Sequence, residues 1–183
     1  MLAGVVETLG GAVAANPSCL GVLSAAEIDP EGNINTTRLP NGRWVTGSGG
    51  ANDMASSSDC VVLAVATPRR YVPRLTHRTS PGHRVRDVVS HFGRFSRPGA
   101  NERFELASWL PPQGGAHASR EEPPEEPVSA LRRLTAWPLD EGEDAGADPA
   151  RPVGISPSLA PEKPVTTEEL ALLRQMDPEG FYR

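Results

Sequence analysis

Cys60-Val-Val-Leu-Ala-Val-Ala66 is the longest purely apolar run in this 183-residue chain. Its β-branched residues and the turn-forming residues on either side are typical of a strand. A second short apolar segment, Cys19-Leu-Gly-Val-Leu-Ser24, precedes it. Unbroken apolar strands are those buried on both faces, as in a parallel sheet covered by helices. The two segments therefore predict an α/β fold, an open and mostly parallel sheet with flanking helices.

The composition excludes several classes of protein. Residues 1–110 carry 11 arginines against 9 acids, and residues 111–183 carry 7 bases against 14 acids, a balance unlike that of a nucleic-acid-binding protein. The longest apolar run is too short to span a bilayer. The first basic residue is Arg38, so the amino end lacks the charged region of a secretory signal. We expect a cytoplasmic protein with no membrane segment and no nucleic-acid partner.

The two cysteines, Cys19 and Cys60, lie in apolar surroundings without metal-ligand spacing. This pattern favours buried free thiols in a reducing compartment. No metal site is predicted.

The first 110 residues are predicted to form the α/β core. Apolar residues recur at helical spacing over residues 2–15, which predicts a short helix weakened by its two glycines. Strand-like segments at Val85–Ser90 and Phe104–Trp109 could pair directly as a hairpin.

The remainder of the chain differs in composition. Of the 54 residues from Pro111 to Pro164, 11 are proline, and acidic residues cluster there. Such a segment cannot bury enough apolar surface to offset its chain entropy. We expect an acidic, proline-rich insert over 111–164, mostly disordered, with a short helix near 128–137. Residues 165–183 begin with a capping box, Thr166-Thr-Glu-Glu169, and are predicted to form a C-terminal helix that docks on the core.

The segment Thr46-Gly-Ser-Gly-Gly-Ala-Asn-Asp-Met-Ala-Ser56 is the most informative for function. Its glycines offer backbone N–H groups that a ligand can approach closely, and a helix follows. This combination suits a phosphate, a carboxylate or the oxyanion of an acyl-transfer intermediate. The loop matches neither nucleotide-binding glycine motif, and a glycine-rich turn without a ligand remains the alternative.

Three further groups of residues are weaker candidates. The alternating oxygen-bearing residues from Glu27 to Asn35 could suit calcium but lack the spacing of an EF-hand loop, and a solvated turn is the preferred interpretation. A catalytic triad is disfavoured because no nucleophile elbow is present, although its residue types lie close together at His77, Ser80, His83 and Asp87. Arg69 and Arg70 follow a predicted strand, where they could reach a ligand or simply be exposed.

Five segments, taken in order, resemble the β subunit of family I CoA-transferases of the glutaconate CoA-transferase type. The first two are the segment from Ser24 to Thr37 and the loop from Thr46 to Ala55. The next two are Arg69-Arg70-Tyr71 and Thr79-Ser-Pro-Gly82. The last runs from Thr167-Glu-Glu-Leu to Met176-Asp-Pro-Glu-Gly180.

The resemblance implies a fold of the CoA-transferase and NagB-RpiA-like kind and a heteromeric enzyme in which an α subunit joins this β subunit. The enzyme would move coenzyme A between an acyl-CoA and a small carboxylic acid, of glutaconate or 3-oxoacid type, with coenzyme A as a substrate and no permanently bound cofactor. A glutamate would attack the acyl-CoA carbonyl to give an acyl anhydride and then an enzyme-bound CoA thioester. Gly50 would donate its N–H to the oxyanion. The implied substrate and CoA contacts are Asn33, Asn35, Gly47, Gly49, Ala51, Asn52, Ser80 and Gly82.

The sequence departs from the family pattern at the nucleophile. The family glutamate lies well before the glycine loop, whereas only 49 residues precede Gly50 and neither Glu7 nor Glu27 matches its motif. We therefore expect the nucleophile outside this chain and the fold incomplete at its amino end. The alternatives are a truncated start, a partner that supplies the nucleophile, or a repurposed member that is a CoA-thioester hydrolase, a decarboxylase or a catalytically silent subunit.

Overall fold

The computed structural model describes residues 4–14, 16–99, 102–110, 126–140 and 151–180. Three α-helices are present in these ranges: α1 (Ala51–Ser57), α2 (Pro127–Leu134) and α3 (Thr167–Met176). A π-helix spans Val6–Val13. The strands are β1 (Leu20–Ser24), β2 (Glu27–Ile28), β3 (Ile34–Asn35), β4 (Asp59–Leu63), β5 (Val85–Val89), β6 (Gly93–Ser96), β7 (Glu105–Trp109) and β8 (Gly154–Pro161).

The main sheet has six strands in the order β1-β4-β5-β6-β7-β8, and β2 and β3 form a separate two-stranded ribbon. The pairs β1/β4, β4/β5 and β7/β8 are parallel, whereas β6 is antiparallel to both of its neighbours. The prediction of an α/β fold with an open, mostly parallel sheet is confirmed.

The two apolar segments that predict the sheet form its first parallel pair, with Gly21 opposite Cys60 and Leu23 opposite Val62. The expectation that both faces are buried is wrong for this pair. Leu20 and Val22 are 58% and 62% exposed, because β1 is the edge strand and no described element covers that face. Leu63 lies on the same open face and is also exposed.

The direct hairpin predicted between residues 85–90 and 104–109 is not formed. β6 lies between the two strands and pairs with both, Val88 opposite Phe95 and Phe95 opposite Leu106. The sequence signal for β6 is weak because the strand has only four residues and begins with Gly93.

An aromatic cluster forms the core on the covered face of the sheet. Trp137 lies between Tyr71 and Phe95, with ring-centroid distances of 4.8 Å and 5.0 Å, and stacks on Phe104 at 6.1 Å. Its indole Nε1 donates a 3.0 Å hydrogen bond to the carbonyl of Ile28. The β2–β3 ribbon is thereby attached to the same core.

The disorder expected over 111–164 is wrong for the parts of that segment that the structure describes. The helix expected near 128–137 is observed as α2, which buries Ala130 and Leu131 in the core. β8 adds the sixth strand to the sheet. Val153, the residue that precedes β8, is buried. The composition hides this strand because it contains prolines, which an edge strand paired on one side tolerates. Residues 111–125 and 141–150, also expected to be disordered, lie outside the described residues.

The two terminal helices are exposed. The capping box of α3 is confirmed: Thr166 Oγ1 accepts from the N–H of Glu169, whose carboxylate accepts from the N–H of Thr166. The expected docking of α3 on the core is not observed, since the helix has no buried residue and Leu172 and Leu173 are each 57% exposed. The helix predicted over 2–15 is observed as the π-helix, also without a buried residue. Within the described ranges, no helix is long and apolar enough to cross a membrane.

Candidate active site

The glycine loop lies at the carboxyl edge of the first two parallel strands. One residue separates the end of α1 from the start of β4, and the helix packs against β1 and β4. Its first residues, preceded by Gly50, therefore lie toward the ends of these strands, where open α/β sheets bind ligands. The N–H of Thr46 bonds to the carbonyl of Thr36, which connects the start of the loop to the β2–β3 ribbon.

Two consecutive amides of the loop are available to a ligand. The N–H groups of Gly49 and Gly50 donate to no acceptor within the described residues, whereas that of Ala51 bonds to the carbonyl of Ser48 at 3.0 Å. Gly49 has a φ of 51°, which side chains rarely adopt, so this glycine sets the direction of both amides. The anion cradle predicted from the sequence is therefore compatible with the observed hydrogen bonding.

The π-helix partly covers this loop, a contact that the sequence does not reveal. A Cβ placed on Gly50 would lie 2.9 Å from Cδ1 of Leu9, so the leucine side chain rests on the glycine. Beside it, between the π-helix and α1, is a cleft of about 410 Å³ with Val5, Leu9 and Asp53 among its lining residues. A ligand on the Gly50 amide would displace or contact Leu9.

The amides of Asn33 and Asn35 are used inside the chain. Asn35 is fully buried; Nδ2 donates to the Glu27 carboxylate at 2.6 Å and to the carbonyl of Arg38, and Oδ1 accepts from the N–H of Thr37. Asn33 donates to Asp29 and accepts from the N–H of Gly82. Both residues therefore hold the β2–β3 ribbon and its turn in place. The carboxylate of Glu27 is likewise engaged in this network.

The turn from Glu27 to Asn35 is buried, so the expectation of a solvated turn is wrong. Asp29 accepts hydrogen bonds from the backbone N–H groups of Glu31 and Asn33. Burial raises the pKa of the Asp29 carboxyl, and the bonds from Asn33 oppose this shift. Within the described part of the chain, no group of three or more His, Cys, Asp and Glu residues is arranged to hold a metal.

The turn Thr79-Ser-Pro-Gly82 lies before the amino end of β5. It packs against the turn from Glu27 to Asn35. The hydroxyl of Ser80 is buried without a hydrogen-bond partner among the described residues. His77 and His83 are exposed, and Asp87 forms an ion pair with Arg94. These residues do not form a catalytic triad, in agreement with the interpretation of the sequence.

The predicted site residues thus fall into two groups. The glycine loop with Ala51 and Asn52 lies at the carboxyl edge of β1 and β4, and Asn35 is close to its start. Asn33, Ser80 and Gly82 lie instead around the turn before β5. Arg69 and Arg70 are exposed, and Arg70 donates a 3.0 Å hydrogen bond to the carbonyl of Ala25.

The free thiols differ in exposure. Cys60 is fully buried, whereas Cys19 is partly exposed. Burial raises the pKa of the Cys60 thiol, which favours its neutral form.

Comparison with known proteins supports the resemblance seen in the sequence. The chain is 32% identical over 99 residues to the β subunit of glutaconate CoA-transferase of Acidaminococcus fermentans, a match covering 51% of this chain and 33% of that protein. No protein-family model matches.

Solved structures show the same fold. Glutaconate CoA-transferase from Acidaminococcus fermentans superimposes with a TM-score of 0.65 at 20% identity, covering 90% of this chain and 61% of that chain. The decarboxylase AibA/AibB gives a TM-score of 0.67 at 19% identity, with 97% and 64% covered. IpdAB of Rhodococcus jostii RHA1 gives 0.66 at 19% identity, with 97% and 67% covered. The chain spans about a third of the curated relative in sequence and under two thirds of the glutaconate enzyme chain in structure.

The six-stranded sheet with its flanking helices matches the fold of glutaconate CoA-transferase. Among proteins with that fold, the chain is similar in sequence over 99 residues to the β subunit of glutaconate CoA-transferase.

Proposed function

We propose that this chain is the β-type subunit of an enzyme that moves coenzyme A between an acyl-CoA and a carboxylic acid. The observation that carries the proposal is the pair of free amides, Gly49 and Gly50, at the carboxyl edge of the sheet in a chain related to the β subunit of glutaconate CoA-transferase. Coenzyme A is a substrate in this proposal, and no cofactor is permanently bound.

In the proposed reaction, a carboxylate attacks the thioester carbonyl and the carbonyl oxygen becomes an oxyanion. The Gly50 N–H donates to this oxyanion, which lowers the barrier because the donor is already oriented before the charge develops. Gly47, Gly49, Ala51 and Asn52 border the same loop and would contact the substrate. Glu27 is bound to Asn35 and is not proposed as the nucleophile.

The proposal includes an α-type partner subunit. Apolar side chains of α3 and of the open β1–β4 face are exposed, which is typical of surfaces that associate with another chain. The relatives point the same way, since one is a single subunit of its enzyme and another is the pair AibA/AibB. We expect an α-type subunit to cover part of these surfaces.

The test is a CoA-exchange assay on this chain purified together with an α-type subunit. An acyl-CoA and a small free acid, such as acetate, should yield a new CoA thioester. Hydroxylamine should trap an activated carboxylate on the complex, and mass spectrometry would identify the residue. Release of free CoA without an acceptor acid, and no exchange, would contradict the transferase proposal.

A second candidate is a decarboxylase acting on a CoA thioester. It is favoured by the structural similarity to the decarboxylase AibA/AibB. Such an enzyme would release CO2 from a carboxylated acyl-CoA in the absence of any acceptor acid. The same preparation distinguishes the two activities, because CoA exchange releases no CO2.

A further inference from the structure

The cleft between the π-helix and α1 adjoins the amide that the proposed function assigns to the oxyanion. Its volume is about 410 Å³, within the range of roughly 300–1,000 Å³ that small-molecule sites occupy. Leu9 belongs to both places, because its side chain lines the cleft and lies against Gly50. When a carbonyl oxygen accepts from the Gly50 N–H, the group attached to that carbonyl carbon therefore lies within reach of Leu9 and of the cleft.

The π-helix side of the cleft is apolar. It consists of Val5, Val6, Leu9, Gly10 and Ala14, and the two valines are 73% and 80% exposed. A Cβ on Gly10 would have nothing within 4 Å, so the space beside this glycine is open. An apolar chain bound there would remove exposed apolar surface from water, which favours its binding.

The α1 side of the cleft offers nothing to a second negative charge. Ser57 Oγ donates to the carbonyl of Asp53 at 2.6 Å, and Ser56 Oγ donates to the side chain of Asn52, so both hydroxyls are engaged within the helix. Asp53 is the one ionisable residue among the described residues that line the cleft, and it forms no ion pair in the described part of the chain. A carboxylate at the far end of a bound chain would therefore face a like charge and no base.

We infer that this cleft binds the acyl chain of the thioester and selects the acyl group of an apolar monocarboxylic acid over that of a dicarboxylic acid. The inference rests on the proposed function, which puts the thioester carbonyl at Gly50. The acyl chain packs against Leu9 and extends past Gly10, and each methylene that it buries strengthens binding up to about fourfold. Glutaconate, for which the related β subunit is named, is a dicarboxylic acid, so this chain has a different acyl preference.

Titration calorimetry on the full chain tests the inference with butyryl-CoA, hexanoyl-CoA and glutaryl-CoA. Hexanoyl-CoA should bind about tenfold more tightly than butyryl-CoA, because it adds two methylenes. It should also bind at least about tenfold more tightly than glutaryl-CoA, whose terminal carboxylate loses water and meets Asp53. The CoA part is identical in the three probes, so the differences report on the acyl chain alone.

Gly10→Leu should abolish the preference for the longer chain, because the new side chain fills the open space of the cleft. The ratio of the hexanoyl-CoA and butyryl-CoA affinities should fall from about ten to about one. Gly11→Leu is the matched control: a Cβ there also has nothing within 4 Å, but Gly11 does not line the cleft, so the ratio should be retained. Both variants replace a glycine of the same helix, and circular dichroism compares their folding.

Asp53→Asn tests the selection against a second carboxylate. Removal of the like charge should strengthen the binding of glutaryl-CoA relative to hexanoyl-CoA by about two- to fivefold, the range expected for a charge pair at an exposed position. Glu7→Gln is the control, since Glu7 is an exposed acid of the π-helix that does not line the cleft. An equal gain in the two variants would show a general effect of net charge and would contradict the role of Asp53.

Four results would each overturn the inference: glutaryl-CoA binding as tight as hexanoyl-CoA, no dependence on chain length, the same ratio in the Gly10 and Gly11 variants, or no binding of any of the three probes. The CoA-exchange assay decides the proposed function separately. Exchange without a chain-length preference refutes the acyl cleft alone, whereas chain-length-dependent binding without exchange refutes the transferase alone.

Discussion

The backbone N–H of Gly82 donates a 3.0 Å hydrogen bond to Oδ1 of Asn33, and this bond joins two turns that are 49 residues apart. The contact is so close that a Cβ on Gly82 would collide with backbone atoms of Glu31, Gly32 and Asn33. Gly82 is therefore required by packing between two backbones. The same contact presents the Gly82 carbonyl to Arg97.

Gly82→Ala should destabilise the chain by about 3 kcal/mol or prevent folding, because backbone on both sides must move. Urea unfolding followed by circular dichroism measures the effect. Gly47→Ala is the control: nothing lies within 4 Å of a Cβ there, so its unfolding free energy should change by less than about 0.5 kcal/mol. Equal stability of the two variants would contradict the packing account.

Trp137→Phe should cost about 1–2 kcal/mol of unfolding free energy, because it removes the bond to Ile28 and leaves a small void among Tyr71, Phe95 and Phe104. The cost is moderate since the Ile28 carbonyl also accepts from the N–H of Val72. Trp44→Phe, at a side chain that is 65% exposed, should be neutral. A neutral Trp137 variant would show that the cluster is not part of the cooperative core.

Asp59 is expected to contribute stability that depends on pH. Hydrogen bonds from Arg86 and Arg84 lower the pKa of its carboxyl, so the contribution is present above its unfolded pKa and disappears as the pH falls through the folded value. Because the side chain is 44% exposed, Asp59→Asn should cost no more than about 1 kcal/mol at pH 7. The difference from the native chain should decrease steadily as the pH falls below the ordinary pKa of an aspartate, about 3.9. Glu102→Gln, at an exposed acid without an ion pair among the described residues, should show no such trend.

Gly50 permits a matched test of its N–H. Its φ of −80° is close to that of proline, so Gly50→Pro removes the donor with little change in φ, whereas Gly50→Ala keeps it and only displaces Leu9. In the assembled enzyme, Gly50→Pro should lower kcat by about 10²–10³-fold and Gly50→Ala by only a few-fold. Similar activity of two folded variants would exclude the oxyanion role.

The exposed leucines of α3 should matter for assembly and not for the stability of this chain. Leu170→Glu combined with Leu173→Glu should weaken binding of an α-type subunit at least about tenfold in pull-down titrations, because buried apolar side chains dominate such interfaces. The unfolding free energy of the double variant should stay within about 0.5 kcal/mol of that of the native chain, since α3 has no buried residue. Gln175→Glu, which adds one negative charge to the helix without removing a leucine, is the control. Unchanged binding in the double variant would exclude α3 from the interface.

Short-range patterns predict part of this structure well. β1 and β4 follow from apolar runs, α3 from its capping box, and the glycine loop from its composition, because each depends on neighbouring residues only. The sequence similarity to the β subunit of glutaconate CoA-transferase likewise depends on contiguous segments.

What depends on distant contacts is not predictable in this way. β6 and β8 are strands because β7 pairs with both, and their own residues, including Pro157, give little strand signal. Arg97 is buried over Phe104, yet in the sequence it is indistinguishable from an exposed arginine. The contact of Leu9 with Gly50 joins residues 41 positions apart and leaves no local pattern.

The prolines of β8 have a consequence for self-association. Pro157 and Pro161 lack N–H groups, so this border of the sheet offers few donors to an incoming strand, whereas β1 at the opposite border has no strand partner on its outer side within the described residues. Strand addition is thus favoured at one border only. A cross-β fibre grows only if both edge strands of each molecule pair with a neighbour. Because only the β1 edge can accept a further strand, we expect discrete assemblies and no open-ended fibre.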